Sequence, residues 1–134
     1  MTRKEERELA FTLVFEKIFN EDQSVQEIVD AALEAELIED NTFAVSLAQL
    51  TSEHTQELDA LIAENSIGWR IERLPKVSLA ILRLALCEIF YVESIPVKVS
   101  ANEAVELAKK FGTQDDASFI NGILGKIIRE KDLK

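Results

Sequence analysis

From Pro75 to Val92 the chain reads PKVSLAILRLALCEIFYV, and its only polar side chains there are Lys76, Ser78, Arg83, Glu88 and Tyr91. A helix that is apolar on nearly every face is stable in water only when protein covers it on all sides. This segment is therefore expected to be the central helix, and the remaining elements to be what wraps it.

Those elements read as helices. Two prolines and four glycines in 134 residues leave few breaks, and neither an alternating apolar pattern nor a solenoid repeat is present. The expectation is an all-α fold, a compact helical bundle of six or seven helices forming a single domain over residues 1–134. A chain this long can remove roughly two thirds of its extended-chain surface from water. The first helix is expected from about Lys4 to Phe19, with Leu9, Ala10, Leu13, Val14, Phe15, Ile18 and Phe19 as its apolar stripe. Ser24 and Glu27 have capping-box spacing and open a second helix that runs to about Leu37. A third starts near Asp40 or Asn41 and continues to Ile62, with TSEHTQE polar enough to kink or break it.

Pro75 suits the first turn of the central helix, and Ser94 to Pro96 end it. Val97 to Val99 read as extended, and Ser100 with Glu103 again has the spacing of a capping box. The following helix buries Ala101, Ala104, Val105, Ala108 and Phe111 and stops at Gly112, where a left-handed residue is expected. A last helix begins near Asp115 and presents Phe119, Ile120, Ile123, Leu124, Ile127 and Ile128. Asn121 and Gly122 sit in its interior, where glycine costs about 1 kcal/mol, so a close helix crossing is expected there. Arg83 needs a carboxylate or carbonyls to offset its desolvation, with Glu103 and Glu106 as candidates.

The formal charge of −10 argues at first against nucleic acid, because phosphate binding rests on Lys and Arg. Its distribution weakens that objection. Residues 1–19 hold four basic and four acidic side chains, residues 20–69 none and twelve, and residues 70–134 eleven and nine. The whole excess lies in the middle, so the two ends can fold together as a neutral or basic face.

Other functions find little support. The apolar run is shorter than the ~20 residues of a membrane span, and the charged MTRKEERE start is unlike a secretory signal, so no membrane is expected and the protein reads as cytoplasmic. The lone Cys87 is placed as a small buried hydrophobe. His54 with Glu53 and Glu57 could present two ligands on one helical face, but in a polar stretch a lone histidine is simply solvated. No phosphate loop or nucleophile elbow is present. Neither an enzyme, a metal site nor a cofactor is expected.

The elements ILRLALCEI, IPVKVSANEAVELAKKFG and FINGIL, in this order and spacing, carry Asn102, Glu103, Ala104, Lys109, Phe111, Gly112, Phe119, Asn121 and Gly122. Here the chain resembles the NusB family of bacterial transcription antitermination factors, strongly from Trp69 to Leu124 and in size and first helix over its whole length. The resemblance implies an all-helical RNA-binding protein rather than an enzyme. Its partners would be the boxA element of nascent single-stranded RNA, a small-subunit ribosomal protein also called NusE, and the transcription elongation complex. The same fold serves as the N-terminal domain of certain rRNA cytosine methyltransferases, but this chain leaves no room for a catalytic domain.

Carried onto this sequence, the family's RNA contacts fall in two regions. One is the basic start of the first helix, Arg3, Lys4 and Arg7, with the aromatic Phe15 where relatives often have tyrosine. The other lies near the last helix, at Asp115, Ser118 and Phe119 with Lys109 and Lys110 just upstream. The partner surface would include Glu72, Ser78 and Tyr91. The sequence departs from the family by placing Glu5, Glu6 and Glu8 among the basic residues and Ser78 where relatives are often acidic. Without the resemblance, Arg3, Lys4 and Arg7 read as a solvated face laced with weak ion pairs. The alternative role is a protein-interaction module of the same fold that has lost most RNA binding.

Overall fold

The computed structural model describes residues 1–133. Among them the chain forms α1 (Arg3–Phe19), α2 (Val25–Glu34), α3 (Thr42–Glu53), α4 (Thr55–Asn65), a single 3₁₀ turn (Ile71–Arg73), α5 (Lys76–Tyr91), α6 (Val97–Phe111) and α7 (Gln114–Glu130). No strand occurs among the described residues, and the all-α expectation holds.

α5 is the central helix that its composition demands. It packs against α1, α3, α4, α6 and α7, and from Ser78 to Glu88 every side chain except Arg83 is buried. Burying each Leu or Ile contributes roughly 1.5–3 kcal/mol relative to exposure, so the wrapping helices are held chiefly through this one element. Cys87 is fully buried, and burial pushes its thiol above the ordinary range.

Local signals set most boundaries. Ser24 accepts from the Glu27 amide at 3.1 Å while the Glu27 carboxylate takes the Ser24 amide at 2.9 Å, closing the expected capping box. Asn41 caps α3 through the Ala44 amide at 2.9 Å. The polar stretch breaks at His54, which ends α3 and starts α4. α2 stops at Glu34, earlier than the expected Leu37. Its end is a Schellman closure, in which the Leu37 amide reaches Ala32 at 2.9 Å and the Glu36 amide reaches Leu33 at 3.0 Å, with Glu36 at φ 57°.

Several expectations are corrected. Val97 to Val99 are helical, not extended: the carbonyl of Pro96 accepts from the amides of Val99 and Ser100, so proline starts the helix and the β-branched pair follows it. Ser100 is consequently one turn inside α6, where it is buried instead of capping. Gly112 has φ −124° and is not left-handed. Glycine is needed there for space, since a Cβ would stand 2.6 Å from Asp116 Oδ2. The cap of α7 is Thr113 rather than Asp115. Arg83 pairs with neither Glu103 nor Glu106 but with Asp59 of α4, in a two-pronged contact at 2.8 Å.

The close crossing expected at Gly122 is absent. Nothing lies within 4 Å of a Cβ built there, and Asn121 and Gly122 are both exposed. Gly122→Ala should therefore raise stability by about 1 kcal/mol through helix propensity alone. An unchanged or lower denaturation midpoint would show that the residue is constrained by something other than its own helix.

Candidate nucleic-acid interface

Lys4, Glu8, Phe11, Phe15 and Phe19 recur at three- and four-residue intervals on α1 and so share one face. This face meets the end of α6. The Glu8 carboxylate takes Lys110 Nζ with both oxygens at 2.8 Å. Beside that pair the Phe111 ring lies 4.9 Å from Phe11, Phe11 5.7 Å from Phe15, and Phe15 5.1 Å from Phe19. A line of four rings thus climbs α1 from the end of α6. Phe11 is buried within it, Phe15 is half-buried, and Phe111 and Phe19 are 39% and 59% exposed.

The basic residues of the first helix divide across two faces. Lys4 is exposed on the aromatic stripe. Arg3 is exposed too, but its guanidinium lies 3.8 Å from the centre of the Phe43 ring and 3.6 Å from Glu6, tying the start of α1 to α3. Arg7 corrects the expectation that it stands with Arg3 and Lys4 toward phosphate. It is only 5% exposed, and its Nε and Nη2 donate to the Glu88 carboxylate at 3.0–3.1 Å. Ser100 donates to the same carboxylate at 3.0 Å. The reason is helical phase, because Arg7 shares its face with the buried Ala10 and Val14. The Arg7 guanidinium is thus committed to the interior, and α1 presents less positive charge than its sequence suggests.

The second region surrounds the α6–α7 junction. Lys109 is exposed, with Glu106 3.8 Å away. Asp115 and Ser118 are exposed, and Phe119 is half-buried. Thr113 and Asp116 form the capping box that opens α7: the Asp116 carboxylate takes the Thr113 amide at 2.8 Å and returns its own amide to the Thr113 hydroxyl at 3.1 Å. Ser78 Oγ donates to Asp116 Oδ1 at 2.8 Å, which locks the start of α5 to the start of α7. Partial burial raises the Asp116 carboxyl, but hydrogen bonds from the Thr113 amide and from the Ser78 and Thr113 hydroxyls outweigh it and hold the group below its usual range.

A depressed folded-state value has a definite sign. The stabilisation is fully present above the unfolded carboxylate range near pH 4 and is lost as pH falls through the folded value. Asp116→Asn should therefore unfold at lower denaturant than the parent at pH 7, with the gap narrowing in acid. A gap that is independent of pH would remove Asp116 ionisation from the cap's energetics.

The three partner-surface candidates do not form one patch. Ser78 is fully buried and occupied by Asp116, which corrects its placement on a surface. Glu72 is exposed in the 3₁₀ turn. Tyr91 is 39% exposed at the opposite end of α5, roughly 20 Å from Ser78 along the axis, and stacks on His54 with centroids 3.9 Å apart. Among the described residues no three His, Cys, Asp or Glu side chains gather to hold a metal ion. No helix there is long and apolar enough to cross a membrane.

Three features of this region are not evident from the sequence. Phe19 extends the aromatic stripe, a spacing visible in the sequence but assigned wholly to the core. Phe111, also assigned to the core, is partly exposed. Trp69 stands 57% exposed against Phe119, and its only local signal was the adjacent Gly68.

Relatives give this arrangement its context. A sequence profile described as "NusB family" matches residues 4–129. The chain is 44% identical over 130 residues to the transcription antitermination protein NusB of Exiguobacterium sp., covering 97% of this chain and 99% of that one. Among solved structures it resembles T. maritima NusB, with TM-score 0.82, 29% identity, and coverage of 97% of this chain and 92% of that chain. Its fold also matches a crystal structure of antitermination factors NusB and NusE in complex with dsRNA, with TM-score 0.81 at 24% identity over 97% and 99% of the two chains. With a profile spanning nearly its whole length and a relative of this identity, the chain belongs to the NusB family.

Proposed function

We propose that this chain is an antitermination factor that binds a boxA-type single-stranded RNA together with the small-subunit ribosomal protein also called NusE, within the elongation complex on rRNA operons. The observation that carries this reading is the line of four rings on α1 and the end of α6, flanked by Lys4, Lys109 and Lys110 and continued by Asp115, Ser118 and Phe119 at the entrance of α7. Aromatic side chains hold unstacked bases whatever their sequence, while lysines hold the backbone. The twelve acidic residues of positions 20–69 lie on α2, α3 and α4 and on the connections before and between them. The related NusB–NusE structure with RNA supports a shared role for the ribosomal partner, for which exposed Glu72 and Tyr91 remain candidates.

One observation favours the alternative role as a protein-interaction module with little RNA binding. Arg7 is internal and Lys110 is neutralised by Glu8, so the charge facing RNA is small. Titrating labelled boxA-type RNA with the chain, with and without the ribosomal protein and at two salt concentrations, separates the two. RNA binding that strengthens with the partner and weakens with salt is the expected result. A mixture that binds the ribosomal protein but shows no salt-sensitive RNA binding would establish the alternative.

A further inference from the structure

A hollow of about 430 Å³ runs between α1, α2 and the connection after α2, walled by Leu13, Glu16, Ala31, Ala32, Leu37 and Ile38. Leu13 and Ile28, both buried, form an apolar floor. The wall on α2 is low, because alanines stand there. Leu37 projects at the rim and is 78% exposed. Exposed apolar surface of this kind, continuous with an apolar groove and edged by charge, is what a protein partner covers.

The charge at the edge selects the partner. Glu16 lines the hollow, Glu36 and Glu39 flank the lining pair Leu37 and Ile38, and Asp22 adjoins the lining Gln23. Glu34 follows Ala31 by three residues and so neighbours it on α2. All five acids are exposed. From Ile18 to Trp69 the chain holds no lysine or arginine to offset them. Lys17, just before that stretch, donates from Nζ to the carbonyls of Glu21 and Gln23 at 2.8 and 2.5 Å, closing the end of α1 instead.

The hollow is also set apart from the aromatic line. Its residues Thr12, Glu16 and Asn20 each follow one of Phe11, Phe15 and Phe19 by a single position, a rotation of roughly 100° about α1. α2 itself packs on α1 and α3. An occupant here leaves the four rings uncovered.

We infer that this hollow docks a short amphipathic helix of a protein partner, its aliphatic side chains seated on Leu13, Ala31 and Leu37 and its flanking lysines or arginines facing the carboxylates. Two turns of such a helix match the groove, since Thr12 to Asn20 rises about 12 Å along α1. RNA is repelled through its phosphates. A two-fold contact with a second copy would set the same carboxylates against one another. The inference is independent of RNA binding and adds a surface separate from those proposed for RNA and for the ribosomal protein.

The test titrates the full chain with a fluorescein-labelled synthetic helix carrying leucines at i, i+3, i+4 and i+7 and lysines elsewhere, beside a scrambled peptide of the same composition. Anisotropy gives affinity, and backbone amide shifts locate the contact. Shifts at Thr12, Glu16, Ala31, Leu37 and Ile38 are expected, with the scrambled peptide about tenfold weaker because it loses its apolar stripe. Leu37→Ala should weaken the patterned peptide about tenfold. Glu36→Gln combined with Glu39→Gln should weaken it severalfold and flatten its salt dependence. These residues are exposed, so both variants should keep the parent circular dichroism and RNA affinity; the carboxylate pair decides if Leu37→Ala disturbs the end of α2. Equal binding of the two peptides, or shifts away from the groove, would reduce the contact to general charge attraction and overturn the inference. Displacement of the peptide by the ribosomal protein would assign the groove to that partner and overturn it as a separate surface. Concentration-dependent self-association that shifts the same amides without peptide would assign it to a second copy and likewise overturn it.

Discussion

Arg7→Ala is expected to destabilise the fold by about 3–5 kcal/mol, because it leaves the Glu88 carboxylate buried without its cation. Glu88 is 2% exposed, and with Arg7 gone its remaining side-chain donor is Ser100 at 3.0 Å. The pair joins residues 81 positions apart and ties α1 to α5 at its buried face. Urea denaturation measures the effect as a lower midpoint at similar slope. Replacing Arg7 and Glu88 together with apolar residues of similar size should recover much of the loss, since it removes both desolvation costs at once. If Arg7 faced RNA instead, Arg7→Ala would keep its midpoint and lose affinity, and that outcome would overturn its assignment to the interior.

On the RNA side, two neighbouring substitutions should move affinity in opposite directions. Phe15→Ala removes a ring from the middle of the aromatic line and should weaken boxA-type RNA binding about tenfold, in keeping with ~1–3 kcal/mol per stacked base. Glu8→Gln releases Lys110 from the carboxylate that it pairs with at 2.8 Å. It should strengthen binding and steepen the dependence on salt by close to one unit, as one more phosphate contact would. Both residues lie on one stripe of α1, so a general disturbance of the helix would shift them together. Two losses, or no change in either, would argue that this face does not meet RNA. Thermal unfolding of Phe15→Ala separates packing from binding, because the ring is half-buried against the core.

What the sequence revealed follows from the range of each interaction. The central helix was legible because an almost uncharged segment has one stable environment. The Ser24 cap and the break at His54 were legible because they depend on residues within a turn of one another. The misreadings have equally physical causes. Val97 and Val99 suggested a strand by β-branching, but the helical start fixed by Pro96 prevailed. Ser100 had the spacing of a cap, yet its hydroxyl is used by Glu88 from another helix. Thr113 is inconspicuous as a cap because its returning carboxylate is the shorter Asp116. Arg83 was rightly expected to need a carboxylate, but Asp59 lies 24 positions away on a helix whose approach no local pattern encodes.

The candidate site shows the same division. The resemblance located the two regions, and the structure shows that the Glu8–Lys110 pair and the Phe11–Phe111 contact bring α1 to the end of α6. Helical phase, which the residue types alone do not settle, removes Arg7 from that surface and places Lys4 on it. Trp69 carries no local signal of its place, because nothing near it in sequence reveals that Phe119 will stand beside it.

The most direct test of an RNA face at the meeting of α1, α6 and α7 is a map of backbone amide shifts in the full chain on adding boxA-type single-stranded RNA. The account predicts changes concentrated at Lys4, Glu8, Phe15 and Phe19, and from Lys109 through Phe119, that weaken as salt is raised. Shifts confined to the acidic segment of α2, α3 and α4, or none at any RNA concentration, would contradict it.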